Sequence, residues 1–414
     1  MQFNLKPLLG LKPLSLYTLC RNGEGSACSY YRVLTPWRTM NELGLTKHVI
    51  DEACNFTTEE QRQQDICYSD IQLYYLIIDQ MVLARIKEFA SWKPARDETF
   101  TIRKPPQVIF DADDHIEYVD VFNPKFCVLG TRLADGTSMK KGARVHAELD
   151  GGENIVLWED GMTYPDGPFD AEGNQRKLRR MKLIARSAAG VSVTCEELAK
   201  VYRRYGCKNV HIFPNSLRDV DYPEIKVERP KNKVRILWQG GYSHFIDWHP
   251  LREALGRVFR ARPNAEFVVW GMLFPSVHRE VPEKQLKFIP WGPYTKYTQR
   301  LATIGHHINL CPLADHPFNR TKSNIKWLES SAITRPAATL AADEPPYRCI
   351  EDGETGLLYK TPKEFEEKLI ALIDDAALRQ TLAKNAHQAA WDGWNAENTV
   401  KPLYRWYMDI RETR

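Results

Sequence analysis

The fold of this 414-residue chain is decided by a stretch that opens with VRILWQGG (residues 234–241). Two further short apolar runs follow, AEFVVWG (265–271) and AATLAA (337–342), and amphipathic runs such as PLREALGRVFRA (250–261) lie between them. Short apolar runs that alternate with helical patterns are typical of strand–helix units in a parallel sheet. We therefore expect an α/β domain here, with ligands at the loops that follow the strands.

An earlier set of strand–helix units occupies the first half of the chain. The runs PLSLYTLC (residues 13–20), VIF (108–110) and VSVT (191–194) each predict a buried strand. A polar connector with two prolines, DYPEIKVERPKNK (221–233), separates this set from the later one. We expect two domains, each with a parallel sheet. The predicted boundaries are an N-terminal domain at 1–222 with a β-rich insertion at about 129–171, a C-terminal domain at 223–390 and a final helix at 391–414.

The composition excludes several classes of protein. Hydrophobic residues make up 43% and charged residues 27%, which is the balance of a globular chain and not of a disordered one. The net charge of +4 is too small for a polybasic protein. No apolar run approaches the roughly 18 residues that a membrane span needs, and Lys6 and Pro7 interrupt any signal peptide. The nine cysteines lack Cys-x-x-Cys or Cys/His spacing, so we expect reduced thiols, a cytoplasmic location and no zinc site.

The densest group of polar residues is PLADHPFNRTKSNIKWLESSAITRP (residues 312–336). If a helix begins near Ser323, this serine caps it, and the free amides and dipole of the first turn favour a phosphate. Lys326 and Glu329 then share one face of the helix, and Lys322 adds charge beside the cap. A glutamate in this place can accept hydrogen bonds from ribose hydroxyls. The alternative is a capped surface helix with one ion pair between Lys326 and Glu329.

The order Ser-x-x-Lys-x-x-Glu, followed by small residues and a proline (323–336), resembles a segment of the family-four-like glycosyltransferases, the glycosyl transferases group 1. Other segments resemble this family in the same order along the chain. These segments are HIFPNSLR (211–218), EDGETGLLY (351–359) and KEFEEKLIALIDDAALRQTLAKNA (363–386). The likeness extends over about residues 185–390.

The resemblance implies a GT-B fold, with two Rossmann-like domains whose parallel sheets face a cleft and a C-terminal helix that crosses back to the N-terminal domain. It implies a nucleotide-diphosphate sugar as donor, with a UDP-sugar favoured, bound mainly by the C-terminal domain. The acceptor would be bound mainly by the N-terminal domain. The resemblance also implies that the anomeric configuration is retained and that no metal is required.

The opening of the donor domain departs from the commoner family pattern. An Arg and a Lys usually hold the diphosphate there, whereas this chain has Gln239, Gly240, Gly241 and His244. The positive charge would then come from Lys322 and Lys326. The first Glu of the family, which touches the donor sugar, has no clear match, and Asp315 and Asn319 are the nearest candidates. The residues expected to bind the donor are Gly23, Gly25, Arg32, Asn215, Gly240, Gly241, His244, Asn319, Lys322, Ser323, Lys326 and Glu329.

Two glycines follow the first predicted strand. Gly23 and Gly25, with Arg32 soon after them, fit the first loop of such enzymes, where small residues let the backbone approach the donor phosphates. The alternative is an ordinary glycine turn with Arg32 on a solvated face.

Three aspartates, Asp111, Asp113 and Asp114, follow the predicted strand VIF. Carboxylates packed together raise one another's pKa, and they can act as a base toward an acceptor hydroxyl, orient the sugar or bind a metal. We expect Asp113 or Asp114 at the reacting centre, with Asp111 beside them and no bound metal. An Asp-x-Asp after a strand is also the metal site of GT-A enzymes, but a GT-A fold does not explain the second set of strand–helix units. A strand end with solvated acids is the other alternative.

The segment 171–208 contains ten basic and three acidic residues. Such a run is often a solvated helix face, but Arg and Lys also bind the phosphates of a polyanion. The residues expected to contact a polyanion are Arg176, Lys177, Arg179, Arg180 and, from the preceding hairpins, Trp158 as a stacking partner for an unstacked base.

The identity of the acceptor is the least constrained prediction. The strand end DADD (111–114), LWEDG (157–161) and FNRTKSNIKW (318–327) resemble phage-type glycosyltransferases, some of which glycosylate hydroxymethylated bases in DNA. The basic segment favours a hydroxymethylated pyrimidine in DNA, which would place the enzyme in the host cytoplasm. A glycan, a protein or a small molecule is the alternative acceptor. A non-catalytic module that binds nucleotide sugars or nucleic acid is a second alternative.

Overall fold

A computed structural model describes residues 13–20, 27–52, 69–76, 78, 80–91, 105–148, 154–292 and 296–413. The chain forms two compact units. The first unit comprises Met1–Asp113, Arg180–Arg218 and Asn395–Arg414. The second unit comprises Asp114–Arg179 and Asp219–Trp394.

Strands and helices alternate along most of the chain. The strands are β1 (Leu14–Cys20), β2 (Thr46–Glu52), β3 (Ile71–Tyr75), β4 (Gln107–Ala112), β5 (Arg144–Glu148), β6 (Asn154–Glu159), β7 (Thr163–Tyr164), β8 (Gly167–Pro168), β9 (Gly190–Val193), β10 (Val210–Ile212), β11 (Val234–Gly240), β12 (Ala265–Gly271), β13 (Leu286–Ile289), β14 (Ile308–Cys311), β15 (Ala338–Ala342) and β16 (Leu357–Tyr359). The α-helices are α1 (Ala27–Ser29), α2 (Thr35–Glu42), α3 (Gln80–Ala90), α4 (Phe126–Leu129), α5 (Ala171–Ser187), α6 (Glu196–Arg204), α7 (Phe245–Trp248), α8 (Arg252–Ala261), α9 (Pro275–Glu280), α10 (Tyr297–Ile304), α11 (Ile325–Ala332), α12 (Pro362–Asp374), α13 (Ala376–Trp394) and α14 (Ala396–Glu412).

The first unit is built on a parallel sheet with the strand order β10-β9-β4-β3-β1-β2. Every residue of β3 and β4 is buried, because central parallel strands are covered on both faces. The predicted strands at 13–20, 108–110 and 191–194 correspond to β1, β4 and β9. β2, β3 and β10 complete the sheet, and of these β2 and β3 were not predicted.

The last helix, α14, packs into the core of the first unit. Val400, Leu403 and Tyr407 are each 0–1% exposed, and they belong to the same apolar cluster as Leu16 of β1 and Trp37 of α2. Burial of one such side chain stabilises a fold by roughly 1.5–3 kcal/mol, so this helix is an integral part of the unit. The expected return of the C-terminal helix to the N-terminal sheet is confirmed.

The second unit contains another parallel sheet, with the order β13-β12-β11-β14-β15-β16. Its strand–helix pattern follows the one that the sequence predicts from residue 234 onward. The expectation of two α/β domains with parallel sheets is therefore confirmed. Among the helices of the described residues, none is long and apolar enough to span a membrane.

The segment Asp114–Arg179 belongs to the second unit, whereas the predicted boundary placed it in the N-terminal domain (1–222). It carries the expected hairpins, β5–β6 and β7–β8. The physical reason for the difference is its packing. The Phe122 ring lies 4.6 Å from the Phe245 ring, and Asp120 Oδ2 lies 3.8 Å from His316 Nε2.

Candidate functional site

The carboxyl edge of the second sheet brings predicted donor residues together. β11 ends at Gly240, and the next turn, Tyr242–His244, carries His244. Helix α11 follows β14 in the chain and places Lys326 beside His244 and Glu329 beside Gln239. Because parallel strands all end at one edge, residues that are far apart in the sequence meet there.

Two glycines at this edge have no room for a side chain. A Cβ on Gly240 would lie 2.6 Å from Trp238 Cζ2 and 2.9 Å from His244 Cδ2. Gly271, at the end of β12, has a φ of +115°, and its Cβ would lie 2.5 Å from the carbonyl oxygen of Gly240. Both positions therefore require glycine, and the backbone itself forms this part of the edge.

A chain of hydrogen bonds joins Lys326, His244 and Asp247. Lys326 Nζ lies 3.0 Å from His244 Nε2, and His244 Nδ1 lies 2.6 Å from Asp247 Oδ2. Burial lowers the pKa of His244 to about 3, and the charges of Lys322 and Lys326 act in the same direction. A neutral imidazole that donates from Nδ1 and accepts at Nε2 fits both contacts.

Asp247 organises the surrounding loop. Its Oδ1 accepts hydrogen bonds from the backbone N–H of Ala314 and from Asn319 Nδ2, each at 2.8 Å. Burial alone would raise the pKa of Asp247, but the hydrogen bond from His244 and the charge of Lys322 oppose this effect, and the pKa is lowered. A buried carboxylate is therefore part of this site. Asn319, a predicted donor residue, supports Asp247.

Lys322 brings a second positive charge to the site. Its Nζ is buried and has no hydrogen-bond partner within the described part of the chain, and it lies 5.0 Å from the centre of the Phe318 ring. Burial and the charge of Lys322 lower the pKa of Lys326 to about 8. Two ammonium groups that are kept out of water and close enough to repel each other favour a bound anion.

Glu329 is held in place by two buried donors. Its Oε2 accepts hydrogen bonds from the Tyr297 hydroxyl at 2.8 Å and from Gln239 Nε2 at 3.1 Å. The Tyr297 ring stacks on Trp270, with 4.7 Å between ring centres. Burial and the charge of Glu329 raise the pKa of Tyr297, which keeps its hydroxyl proton on the oxygen. Glu329 is thus a fixed carboxylate, 4% exposed, beside the two lysines.

The predicted cap of α11 was wrong by one residue. The helix begins at Ile325, and Asn324, not Ser323, is its N-cap residue. The backbone carbonyl of Asn324 accepts from the N–H of Trp327 and Leu328, and its side chain donates to Cys349 Sγ. The start is shifted because Lys322 is extended after the preceding turn, Asn319–Thr321. The alternative prediction was an ion pair between Lys326 and Glu329. In the structure, Lys326 instead contacts His244, and Glu329 accepts a hydrogen bond from Tyr297.

Asp120 and His316 are further titratable groups near the lysines, and neither was predicted. Burial raises the pKa of Asp120 to about 6, the charge of Asp247 adds to the effect, and the charge of Lys322 opposes it. Asp120 comes from the segment that the sequence assigns to the other domain. Asp247 was not predicted either. Its position in the sequence could have indicated it, since it lies three residues after His244 in SHFIDW (243–248).

Arg32 and Asp111 form a buried ion pair in the first unit. Arg32 Nε and Nη2 donate to the two carboxylate oxygens of Asp111 at 2.9 and 2.7 Å, and Ser192 Oγ also donates to Asp111. Both side chains are at most 2% exposed. Each side chain thus has a structural contact inside the core, and the predicted catalytic role of Asp111 and donor contact of Arg32 stay predictions.

Asp113 differs from Asp111 because it is partly accessible. Burial of its carboxyl group raises its pKa, although hydrogen bonds from Tyr75 and Cys28 oppose this effect. Its Oδ1 has no hydrogen-bond partner among the described residues. Asp114, the next residue, is also half-buried. Their catalytic role stays a prediction.

The basic residues of α5 are only partly available to a ligand. Arg176, Lys177 and Arg179 are exposed, and Arg180 is half-buried. Arg176 pairs with Asp170 at 3.3 Å, and Lys177 Nζ donates to the carbonyl of Val128 at 2.9 Å.

Trp158 is part of a small apolar core and not a free stacking surface. Its ring packs 4.6 Å from Tyr164 and 5.9 Å from Phe126, and its Nε1 donates to the carbonyl of Val121 at 2.7 Å. Trp158 is half-buried, and its predicted contact with a nucleic-acid base stays a prediction.

The remaining predicted donor residues lie in different places. Gly23 and Gly25 are outside the described residues. Asn215 is buried after β10 in the first unit. Gly241 lies at the carboxyl edge of the second sheet, where a Cβ would be 3.7 Å from Trp291 Cζ2, and Trp291 is 51% exposed. No group of three or more His, Cys, Asp or Glu side chains in the described part of the chain is arranged to hold a metal ion.

Comparison with known proteins supports the reading of the second unit. Residues 250–405 match the family described as glycosyl transferase-like. No curated protein sequence matches this chain.

Several solved structures share the fold over nearly the whole chain. Sucrose-phosphate synthase from Thermosynechococcus elongatus has 12% identity and a TM-score of 0.58, with 96% of this chain and 99% of that chain covered. The Anabaena protein HepE, solved with UDP and glucose, has 12% identity and a TM-score of 0.57, with 96% and 100% covered. A glycosyltransferase from Rickettsia africae has 8% identity and a TM-score of 0.56, with 98% and 100% covered. The fold of this chain is therefore GT-B.

Proposed function

We propose that the protein is a group 1 glycosyltransferase that transfers a sugar from a nucleotide-diphosphate sugar to an acceptor hydroxyl. The single observation that carries this proposal is the pair of half-buried lysines at the carboxyl edge of the second sheet, of which Lys322 Nζ is buried and has no hydrogen-bond partner in the described part of the chain. A diphosphate supplies the negative charge and the acceptor oxygens that these two ammonium groups need. UDP is the favoured nucleotide, since HepE was solved with it.

The carboxylate of Glu329 can bind a second part of the donor nucleotide. Glu329 lies on the same helix as Lys326, with its Oε2 fixed by Tyr297 and Gln239. A fixed carboxylate accepts hydrogen bonds from the paired hydroxyls of a ribose. We assign Glu329 to the ribose and Lys322 and Lys326 to the diphosphate, so that one helix and the turn before it bind the nucleotide.

The same charges serve the reaction. When the bond between the anomeric carbon and the phosphate oxygen breaks, its electron pair stays on the diphosphate, which gains negative charge. Ammonium groups that are already in place stabilise this charge without reorganising. The chain of Asp247, His244 and Lys326 keeps one of them oriented. For this reason we propose a metal-independent reaction, and from the family resemblance we propose that it retains the anomeric configuration.

The acceptor would be served by the aspartates that directly follow β4. Asp113 has a buried carboxylate oxygen with no hydrogen-bond partner among the described residues, and a raised pKa suits a group that exchanges a proton. We propose that Asp113 or Asp114 receives the proton of the acceptor hydroxyl as the new glycosidic bond forms.

The acceptor that we propose is a hydroxymethylated pyrimidine in DNA, as in a phage-encoded enzyme. The support is the exposed group of Arg176, Lys177 and Arg179 on α5, which suits a phosphate backbone. A second candidate is a glycan, protein or small-molecule acceptor. The ion pair of Arg176 with Asp170 and the bond of Lys177 to Val128 favour it, because these local bonds occupy part of the basic run.

One pair of experiments tests the activity and the acceptor. A panel of UDP-sugars is incubated with the protein alone, and UDP release is compared between the native chain and K322Q/K326Q, with the exposed pair K284Q/K287Q as control. Loss of hydrolysis only in K322Q/K326Q supports the donor assignment. Nucleosides from hydroxymethylated DNA are then analysed by mass. If no donor adds a hexose or pentose to them, the DNA acceptor is excluded and the glycosyltransferase assignment stands on the first assay.

A further inference from the structure

A second basic recess lies at the amino edge of the second sheet. Arg229 and Lys231 precede β11, His307 directly precedes β14, and Arg335 precedes β15. Strands in a parallel sheet all begin at one edge and end at the other, so this recess lies at the edge opposite to the donor site. Its volume is about 640 Å³, which is the size of a small-molecule site.

The lining of the recess carries positive charge without a carboxylate. Helix α13 supplies its remaining charged groups. The basic lining residues are Arg229, Lys231, His307, Arg335, Arg379, Lys384 and His387, and no Asp or Glu is among the lining residues, all of which the structure describes. The surface of this chain as a whole is close to neutral, with a net charge of +4, so the concentration of one sign here is a local feature.

The arginines bond to backbone carbonyls, which orient them but leave their charge in place. Arg229 Nη2 donates to the carbonyls of Arg335 and Pro336 at 2.7 and 2.8 Å. Arg335 Nη1 donates to the carbonyl of Val227 at 2.6 Å. Arg379 Nη1 donates to the carbonyls at the end of α12, at 2.6 and 2.9 Å. The three guanidinium groups are therefore fixed in position.

Asp374 and Asp375, whose charges act on Arg379, also accept hydrogen bonds from other groups. Asp374 accepts two hydrogen bonds from Arg262, at 2.7 and 2.6 Å. Asp375 Oδ1 accepts from the backbone N–H of Leu378 in the first turn of α13. Neither carboxylate lines the recess.

The charges in the recess act on one another. Burial, together with the charges of Arg335 and Arg379, lowers the pKa of Arg229 to about 10. Burial and the charges of Arg229 and Arg379 lower the pKa of His307 to about 4, so its ring is neutral at pH 7. The backbone N–H of Arg235 donates to His307 Nδ1 at 3.0 Å, which places the ring proton on Nε2 as a donor.

We propose that this recess binds a small anion that carries at least two phosphoryl-type charges, at a site separate from the donor site. Fixed guanidinium groups bind phosphate oxygens in pairs, and the imidazole N–H adds a neutral donor. An anion here relieves the repulsion between the cations. The recess is concave and its volume matches a single small molecule, so it suits a free phosphate compound better than a polymer backbone. The ligand is either inorganic pyrophosphate or a phosphorylated metabolite.

Lys231 and Lys384 provide the sharpest variants, because both are exposed and neither has a hydrogen bond or ion pair with the described residues. Replacing them leaves the carbonyl-bonded arginines intact, so the fold is preserved. K231Q/K384Q removes two charges from the recess. K284Q/K287Q removes two exposed charges from the region of β13 and is the matched control.

The test is titration calorimetry of the full chain with inorganic pyrophosphate at pH 7 and 0.15 M salt, with thermal melting as a check on folding. We expect two sites, one lost in K322Q/K326Q and the other weakened roughly tenfold in K231Q/K384Q. K231E/K384E should weaken that second site further, and K284Q/K287Q should leave both unchanged. The same titration with a sugar monophosphate and with citrate then shows which anions the recess accepts. Binding of the sugar monophosphate without binding of citrate indicates a phosphorylated metabolite, whereas equal binding of citrate indicates that any multivalent anion is accepted.

The result that would overturn the proposal is a pyrophosphate affinity that K231Q/K384Q and K231E/K384E change no more than the control pair does. A single site that K231Q/K384Q weakens and that K322Q/K326Q leaves unchanged would mean that the donor assignment is wrong while the recess stands. One site that is lost only in K322Q/K326Q would mean that the recess binds no anion while the donor site stands.

Discussion

Lys326 Nζ lies 3.0 Å from His244 Nε2, although the two residues are 82 positions apart in the chain. On its other side, His244 contacts Asp247 Oδ2 at 2.6 Å. The imidazole therefore connects a carboxylate to an ammonium group and holds that ammonium beside Lys322. In the function that we propose, this fixed pair of cations binds the donor diphosphate, in place of the Arg and Lys that are common at the opening of the donor domain.

The replacement of Glu329 by glutamine tests the ribose contact. A hydrogen bond to a charged group contributes roughly 1.5–3 kcal/mol, so E329Q should weaken UDP binding about tenfold to a hundredfold. Calorimetry with UDP measures the change. The exposed E283Q is the control and should bind normally. An unaltered affinity in folded E329Q would remove Glu329 from the ribose site.

The pKa of Lys326 predicts how UDP binding depends on pH. In the free protein this pKa is lowered to about 8, chiefly by burial, whereas a bound diphosphate favours the charged amine and raises it. Above pH 8, binding should therefore take up a proton, and the affinity should fall by up to about tenfold per pH unit. Proton uptake is read from calorimetry at pH 9 in buffers with different ionisation enthalpies. The same uptake in K326M would show that another group is responsible.

The buried pair of Arg32 and Asp111 predicts a loss of stability and not only of activity. D111N leaves the guanidinium of Arg32 without its partner charge, which should reduce the free energy of unfolding by about 3–5 kcal/mol. Urea denaturation measures this, with the exposed D409N as the control. If D111N is as stable as the native chain and yet inactive, the carboxylate belongs to the reaction after all.

Asp113 and the absence of a metal requirement can be tested together. D113N should reduce sugar transfer strongly while leaving UDP binding intact, because Asp113 lies in the first unit and the donor residues lie in the second.

Transfer by the native protein should survive EDTA. Loss of activity on chelation, with recovery on addition of manganese, would instead indicate a metal-dependent reaction.

The parts of the fold that depend on local patterns could be predicted from the sequence. AEFVVWG is one example, since a short apolar run between turn residues became β12 (Ala265–Gly271). Lys326 and Glu329 come from one short helix, and they contact His244 and Gln239 at the carboxyl edge of the second sheet. The strand prediction succeeded because strand and helix periodicity is a property of neighbouring residues.

Other features could not be predicted because they depend on packing between distant residues. Asp120 reaches the neighbourhood of His316 only because the segment Asp114–Arg179 packs with the second unit. The salt bridge of Arg32 with Asp111 joins residues 79 positions apart. In both cases the sequence identifies a charged residue but not its partner, and the partner decides whether the charge is structural or functional.

The most direct test of the account is calorimetric titration of K322Q/K326Q with UDP, compared with the native chain and with K284Q/K287Q. Two charge-assisted contacts are lost, so we predict that UDP affinity falls at least about a hundredfold in K322Q/K326Q and is unchanged in the control. Thermal melting verifies that each variant is folded. If folded K322Q/K326Q binds UDP as tightly as the native protein, the carboxyl edge of the second sheet is not the nucleotide site.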